Sequence, residues 1–350
     1  MRATSWCLGY ARRVIDLPTL PAQPPVSIVV PVKNEAPYLA DAVAAMLGCG
    51  YAGELEVVLA VAPSDDATEE IARGLEQDER VRVVSNPSGK TPDALNRAIA
   101  AARFDVLVRM DGHALMPEGY VDSAVRHLRE SGAANVGGRM VPTASEPFAK
   151  AVAVAMSSAW GLGGAGHRQG GVAGPADSVY LGAFRREALE DVGGYDSHYV
   201  RAQDWELNFR LREAGYGVWF VPEMQVPYSP RNTWRSLARQ FWLTGQWRRE
   251  VVSRHPETKS LRYLAAPIAT VAVVLGALCG VLGMLFDTPW LIAGWVIPLA
   301  YLAGILLATV SLASRAGAAA SIRLPLVLAT MHLGWGAGFL RQVPSSQLDA

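Results

Sequence analysis

After Tyr263 the chain carries only five charged residues, Asp287, Arg315, Arg323, Arg341 and Asp349, against 32 basic and 32 acidic residues in the whole. The rest of this tail is apolar, in runs at 264–286, 290–313 and 324–340. Backbone groups in lipid must be paired within the protein, and a helical span takes about 20 residues. The first two runs are long enough to cross a bilayer as a hairpin turning at Asp287, Thr288 and Pro289; the third is marginal. Charge is confined to what precedes, the profile of a soluble head on a membrane tail. Arg315 and Arg323 fall on the same side of the hairpin as the basic stretch 231–262. The positive-inside rule places that side in the cytoplasm, with the head, in a multi-pass protein of the cytoplasmic membrane.

Residues 1–25 hold Arg2, Arg12 and Arg13 and end in LPTLPAQPP, with no sustained apolar core. They read as an N-terminal arm and not as a secretory signal. The head is close to charge-balanced, which gives no basic surface for nucleic acid. Cys7, Cys49 and Cys279 have no paired or metal-like spacing, in keeping with a reducing compartment.

The head alternates apolar runs with helical patterns. VSIVVPVKNE from Val26, LEVVLAV, VRVVSN and VLVRM at 106–110 read as buried strands, with helix-like stretches from Tyr38 to Leu47, over EEIARGLEQ and over TPDALNRAIAAA. Alternation of this kind over about 100 residues predicts an α/β fold with a mostly parallel sheet, whose ligands sit at the carboxyl ends of the strands. No glycine-rich fingerprint follows the first strand, which argues against a nicotinamide or flavin dinucleotide fold. Gly161, Gly163 and Gly166 satisfy G-x-G-x-x-G literally, but they follow no strand and open no helix. The stretch they begin, with His167 and Arg168, reads as a loop able to close over a ligand.

Three groups at strand or helix ends can carry chemistry. Asp111 ends the fourth strand, with His113 two positions on, and such a pair can hold a divalent cation against a diphosphate. Taken alone, an aspartate before glycine is more readily a turn residue. Lys90 precedes a helix for which Thr91 is a candidate cap, where charge and backbone amides favour phosphate; alone it is a solvated loop lysine. Asp204 and Glu206 open a further helix, where acidic residues suit the helix dipole in any protein.

The order SIVVPVKNE, SNPSGKTPDALNRAI, VRMDGHA resembles the nucleotide-sugar half of inverting glycosyltransferase family 2 enzymes, especially the exopolysaccharide type, over roughly residues 26–250. The resemblance implies a nucleotide-diphospho-sugar transferase fold with a C-terminal membrane-helix tail. It places Pro31, Lys33 and Glu35 near the nucleoside, Lys90 near it or the phosphates, and Asp111, with His113, on a divalent cation (Mg or Mn). It makes Asp204 the catalytic base, in an acceptor half to which Gly182, Ala183, Gln203, Glu206, Arg239 and Gln240 also belong. The partners implied are a nucleotide-diphosphate sugar, a lipid-linked or saccharide acceptor, and the membrane. The domains expected are a catalytic domain at 26–230, interfacial basic and aromatic helices at 231–262, and a transmembrane region at 263–341.

The chain departs from the family pattern at three places. Val61, Ala62, Pro63 and Ser64 stand where many members have an aspartate pair contacting the base, and only Asp66 keeps the later acidic position. His113 replaces the second aspartate of Asp-x-Asp, a softer ligand with one negative charge fewer. The Gln-x-x-Arg-Trp motif of processive synthases is missing: Gln240 is followed by Phe-Trp-Leu and Gln246 by Trp247. Two other readings remain open, a nucleotidyltransferase on a similar sheet and a catalytically inert, membrane-anchored nucleotide-sugar-binding protein.

Overall fold

The computed structural model describes residues 15–162 and 171–344; residues 1–14 with Cys7, and 163–170 with Gly163, Gly166, His167 and Arg168, lie outside the described residues. In chain order the strands are β1 (Val26–Val32), β2 (Leu55–Val61), β3 (Val81–Ser85), β4 (Val106–Arg109), β5 (Asn135–Pro142), β6 (Gly174–Pro175), β7 (Tyr180–Arg185) and β8 (Val218–Tyr228). The helices of the first half are α1 (Leu39–Leu47), α2 (Thr68–Leu75), α3 (Thr91–Ala101), α4 (Tyr120–Ser131), α5 (Pro147–Met156) and α6 (Ala159–Leu162). Then come α7 (Arg186–Asp191), α8 (Gln203–Glu213), α9 (Trp234–Arg254), α10 (Leu261–Leu285), α11 (Pro289–Ile292), α12 (Val296–Ala316), α13 (Ala318–Ser321) and α14 (Leu324–Phe339). The chain divides into two compact units, residues 15–141 with 171–227, and residues 142–162 with 228–344.

The first unit is built on a sheet of order β3-β2-β1-β4-β7-β5-β8-β6. β3, β2, β1 and β4 run parallel, and β7 is antiparallel to both β4 and β5. Successive side chains of a strand face opposite ways, and both faces of this sheet are covered. Ile28, Val30 and Val32 pack with Leu39, Val43 and Met46 of α1 and Val121, Val125 and Leu128 of α4. Val29, Val58 and Leu107 pack with Leu95 and Ala98 of α3 and Leu207 and Leu211 of α8. Two covered faces explain why β1 and β2 read as unbroken apolar runs and not as alternating ones. α3 begins at Thr91, with Lys90 in the extended cap position and no side chain capping it, so Thr91 lies inside the helix and is not its cap. Pro92 and Asp93 in the first turn suffice to start it.

In the second unit, two helices are long and apolar enough to cross a membrane, Tyr263–Leu285 and Pro289–Ala316. Only 22% and 11% of their most apolar windows are buried, which sets them apart from core helices. They meet through small residues: a Cβ on Gly276 would stand 2.8 Å from the Gly294 carbonyl oxygen, and one on Gly283 2.5 Å from the Ile292 nitrogen. Close backbone approach through glycine is how helices associate where no hydrophobic drive is available.

The third apolar run is α14, 16 residues or about 24 Å of helix, short of the roughly 30 Å hydrocarbon core. It packs within the protein, on α9 and α10. Cβ atoms at Gly338 and at Gly245 of α9 would overlap the carbonyls of Trp242 and Trp335, and one at Gly336 would overlap Thr270 of α10. The Trp234 indole donates to Thr330 Oγ1 (2.9 Å), and Arg249 donates to the Leu340 carbonyl (3.1 Å). One face of α9 is thereby covered, while Trp234, Arg235 and Arg239 stay exposed. α5, expected within the catalytic domain, packs in this unit against α12, α13 and α14. An apolar helix, PFAKAVAVAM, with Ala151, Val152 and Ala155 buried finds its partners far along the chain.

Candidate active site

The parallel pairing of β1 with β4 brings two strand ends side by side, with Val29 opposite Arg109. Pro31 lies inside β1, in register with Ala60. Beyond Val32 the chain turns through Asn34 at φ 55°. The Asn34 amide donates to Ser64 Oγ (3.1 Å), Glu35 N–H to Thr68 Oγ1 (2.7 Å) and Ala36 N–H to Asp66 (3.2 Å). Asp66 also accepts from the Thr68 amide (3.0 Å) and hydroxyl, and these bonds hold its carboxyl below its ordinary pKa. The acidic residue that survives from the family's base-contact position thus fastens the 33–36 turn to the start of α2. Val61 and Ala62 are buried.

Gly89, at φ 69°, presents its backbone to Lys33, whose Nζ would lie 3.1 Å from a Cβ there. Lys33 and the Lys90 turn therefore converge, from two loops, at the N-terminus of α3. Gly112 is held as closely: a Cβ would meet Glu35 Cγ at 3.2 Å and the Pro31 carbonyl at 3.6 Å. The glycine between Asp111 and His113 lets their loop lie on the end of β1. There His113 Nδ1 is 2.7 Å from Glu35 Oε1, so Glu35 is engaged with the histidine.

Asp204 is the second residue of α8, which starts after Ala202 at φ 62°. Arg109, the last residue of β4, joins it to Asp111. One guanidinium nitrogen donates to Asp204 Oδ1 and the other to Asp111 Oδ1 (3.2 Å). The Arg109 side chain is 6% exposed, the two carboxylates 30% and 22%. Burial works against the Arg109 cation, but the charges of Asp204 and Asp111 outweigh it and hold its pKa well above the ordinary value. Burial pushes the Asp204 carboxyl up, Arg109 opposes this, and Asp111 adds to it. The buried Tyr195 phenol faces the same pair and is also raised, by burial and then by Asp204.

Glu206, also in the first turn of α8, is buried and bonded to Arg210 (2.6 and 2.8 Å), which in turn donates to the carbonyls of Val192 and Gly194 (2.5 and 2.7 Å). It braces the turn ahead of Tyr195. Gln203 is half-buried at the helix start. Gly182 and Ala183, expected on the acceptor side, are buried inside β7, where a Cβ on Gly182 would overlap Asn135 and Phe184. No room is left for a ligand, and their part is to seat β7 between its neighbours. Arg239, exposed, and Gln240, 3.3 Å from Arg231 Nε, belong to the other unit.

Among the described residues no group of three or more His, Cys, Asp and Glu could hold a metal ion. Asp111 and His113 nevertheless fit a cation that takes its remaining ligands from phosphate and water, as Mg²⁺-type sites do. Only one Asp111 oxygen is held by Arg109. The Nδ1 contact to Glu35 orients the imidazole as carboxylates orient metal-binding histidines.

The family model for glycosyl transferase family 2 matches residues 27–193, stopping short of Asp204. The succinoglycan biosynthesis protein ExoA of Rhizobium meliloti (strain 1021) is 32% identical over 320 residues, 90% of this chain and 94% of its own length. This chain belongs to glycosyltransferase family 2. It is also similar to a pre-mycofactocin glycosyltransferase of Mycobacterium tuberculosis, at 27% identity over 69% of this chain and 50% of the relative. The fold is that of a mannosyltransferase from Pyrobaculum calidifontis, solved in complex with GDP-Man and Mn²⁺. The likeness has a TM-score of 0.53 at 19% identity over 92% of this chain and 90% of the other.

For this glycosyltransferase, sequence reasoning brought out both carboxylates but missed the arginine between them. The signal was present: a cation in the fully buried strand VLVR must find anions within reach.

Proposed function

We propose that this glycosyltransferase is a membrane-anchored inverting enzyme. It moves a sugar from a nucleotide-diphosphate donor to a lipid-linked or membrane-near acceptor in cell-envelope or exopolysaccharide synthesis. The observation that carries the reading is the meeting of Asp111 and Asp204 on Arg109, since a single displacement needs a donor-side group and a base at one reacting centre. Asp204 takes the proton from the acceptor hydroxyl as it attacks the anomeric carbon. Lys33 and Lys90, beside the start of α3, neutralise charge on the departing diphosphate. Asp111 and His113 hold a divalent cation, which when bound supplies further charge to that leaving group. The relative's role in succinoglycan biosynthesis favours a saccharide product, and the Mn²⁺ and GDP-Man of the mannosyltransferase favour a cation and a nucleotide sugar.

The buried Val61 and Ala62 and the engagement of Asp66 with the 33–36 turn favour a nucleobase contact other than the family's paired aspartates. A thermal-shift panel of UDP-, GDP- and dTDP-sugars, with and without Mn²⁺, is expected to show one base class stabilising the full chain, and only with metal. No stabilisation by any of them, together with no release of nucleoside diphosphate, would favour an inert scaffold.

The orientation has its own test. In a chain whose cysteines are replaced by serine, Thr288→Cys is expected to react with an impermeant maleimide applied to intact cells, and Ala318→Cys only after permeabilisation. The opposite labelling puts the head outside and removes cytosolic nucleotide sugars as donors.

A further inference from the structure

Val106, Leu107 and Val108 of β4 are apolar and buried, and an apolar residue would serve the fourth position as well for packing. Arg109 stands there instead, 6% exposed, with its Nε buried and without a partner among the described residues. A buried ion pair seldom repays its desolvation in stability, so the cation calls for another reason. Its two terminal nitrogens address one local and one distant carboxylate, Asp111 two residues on and Asp204 95 residues on.

We propose that Arg109 is a positioning residue of the transfer reaction: it fixes the first turn of α8 against the end of β4, so that Asp204 meets the acceptor in register with the donor bound at Asp111. The role rests on Asp204 being the base. A guanidinium suits it because its planar fork offers separate donors to two acceptors at a set spacing. A lysine keeps the charge but offers one point donor, and the two carboxylates then compete for it. Arg109 touches neither acceptor nor donor in this role and acts through Asp204.

The test is a double-mutant cycle on the full chain in nanodiscs. Mn²⁺-dependent hydrolysis of UDP-glucose, UDP-galactose and GDP-mannose gives kcat, and donor affinity and Tm are measured alongside. Arg109→Lys is expected to lower kcat about 100-fold, within the range for loss of a general base, with donor affinity changed less than about threefold. Arg109→Lys combined with Asp204→Asn is expected to be no slower than Asp204→Asn alone, because residues acting as a unit are not additive. Multiplying losses, or a loss in donor affinity alone, would overturn the role. If Asp204→Asn itself turns over normally, the base assignment falls and this role with it, an outcome distinct from a slow Asp204→Asn with multiplying losses. Should Arg109→Lys lower Tm substantially, Arg109→Ala with added guanidinium decides: kcat recovers if the fork positions Asp204, and stays low if Arg109 serves only the fold.

Discussion

Asp204→Asn is expected to cut sugar transfer by about 10²- to 10⁴-fold while donor affinity stays within a few-fold of wild type. Asparagine keeps the shape and can still accept from Arg109, so α8 and its contacts survive; only the capacity to take a proton is lost. Because burial raises the Asp204 carboxyl, with Asp111 adding and Arg109 opposing, the acid limb of the kcat profile should lie above the ordinary carboxylate range near 4. The base works deprotonated, so rate falls as pH drops through that limb, and the limb should vanish in the variant. Glu206→Gln is expected to be milder in kcat and to show instead as a loss of Tm, since Glu206 holds Arg210 and the turn at 192–194. Near-normal turnover in Asp204→Asn, or a worse enzyme in Glu206→Gln, would mean that the base lies elsewhere.

The second large effect is expected at Asp111. Asp111→Asn should weaken Mn²⁺-dependent donor binding by at least about tenfold, the lower end of what supporting residues of metal sites cost when lost, and should leave metal-independent binding unchanged. His113→Asp should keep the metal dependence or tighten it, because a second carboxylate attracts the cation more strongly than imidazole does. The structure adds a condition: Asp at 113 faces Glu35, which now accepts from the histidine at 2.7 Å. Pairing His113→Asp with Glu35→Gln removes the like-charge contact and should give the tightest metal binding of the set. Isothermal titration of Mn²⁺ with and without donor reads both effects. Unaltered metal dependence in Asp111→Asn would remove Asp111 from the cation.

The sequence was most legible where structure is local. β1, β2 and β4 announced themselves as apolar runs because both faces of the sheet are covered, and Asp111 and Lys90 were found at strand and helix ends where ligands gather. What could not be read were pairings made across the chain. The engagement of Glu35 with His113, of Asp66 with the 33–36 turn, and of Arg109 with Asp204 each joins residues whose contact depends on strand order, and no local pattern encodes that. Gly182 was misread for the same reason. Its lack of a side chain serves a close approach to Asn135 in β5, and nothing in LGAF shows which neighbour comes near. What α14 packs against was likewise not legible, because an apolar helix of glycine and leucine suits lipid or protein alike until its partners are known.

The junction of α9 and α14 bears on how the protein is made. Trp234 and Thr330, which hydrogen-bond across it, are 96 residues apart. At a synthesis rate of 5–20 residues per second, α9 waits roughly 5–20 s for its counterpart. Through that interval the glycine notch at Gly245, which the backbone of Trp335 and Phe339 in α14 later covers, stands open, with the whole apolar hairpin still to emerge. The tryptophans and arginines of α9 would suit a newly made copy of it to a lipid surface until α14 arrives. Slowing translation between 255 and 324 should lengthen that exposure, and a pulse-chase protease assay would show it as a longer-lived cleavage window in α9.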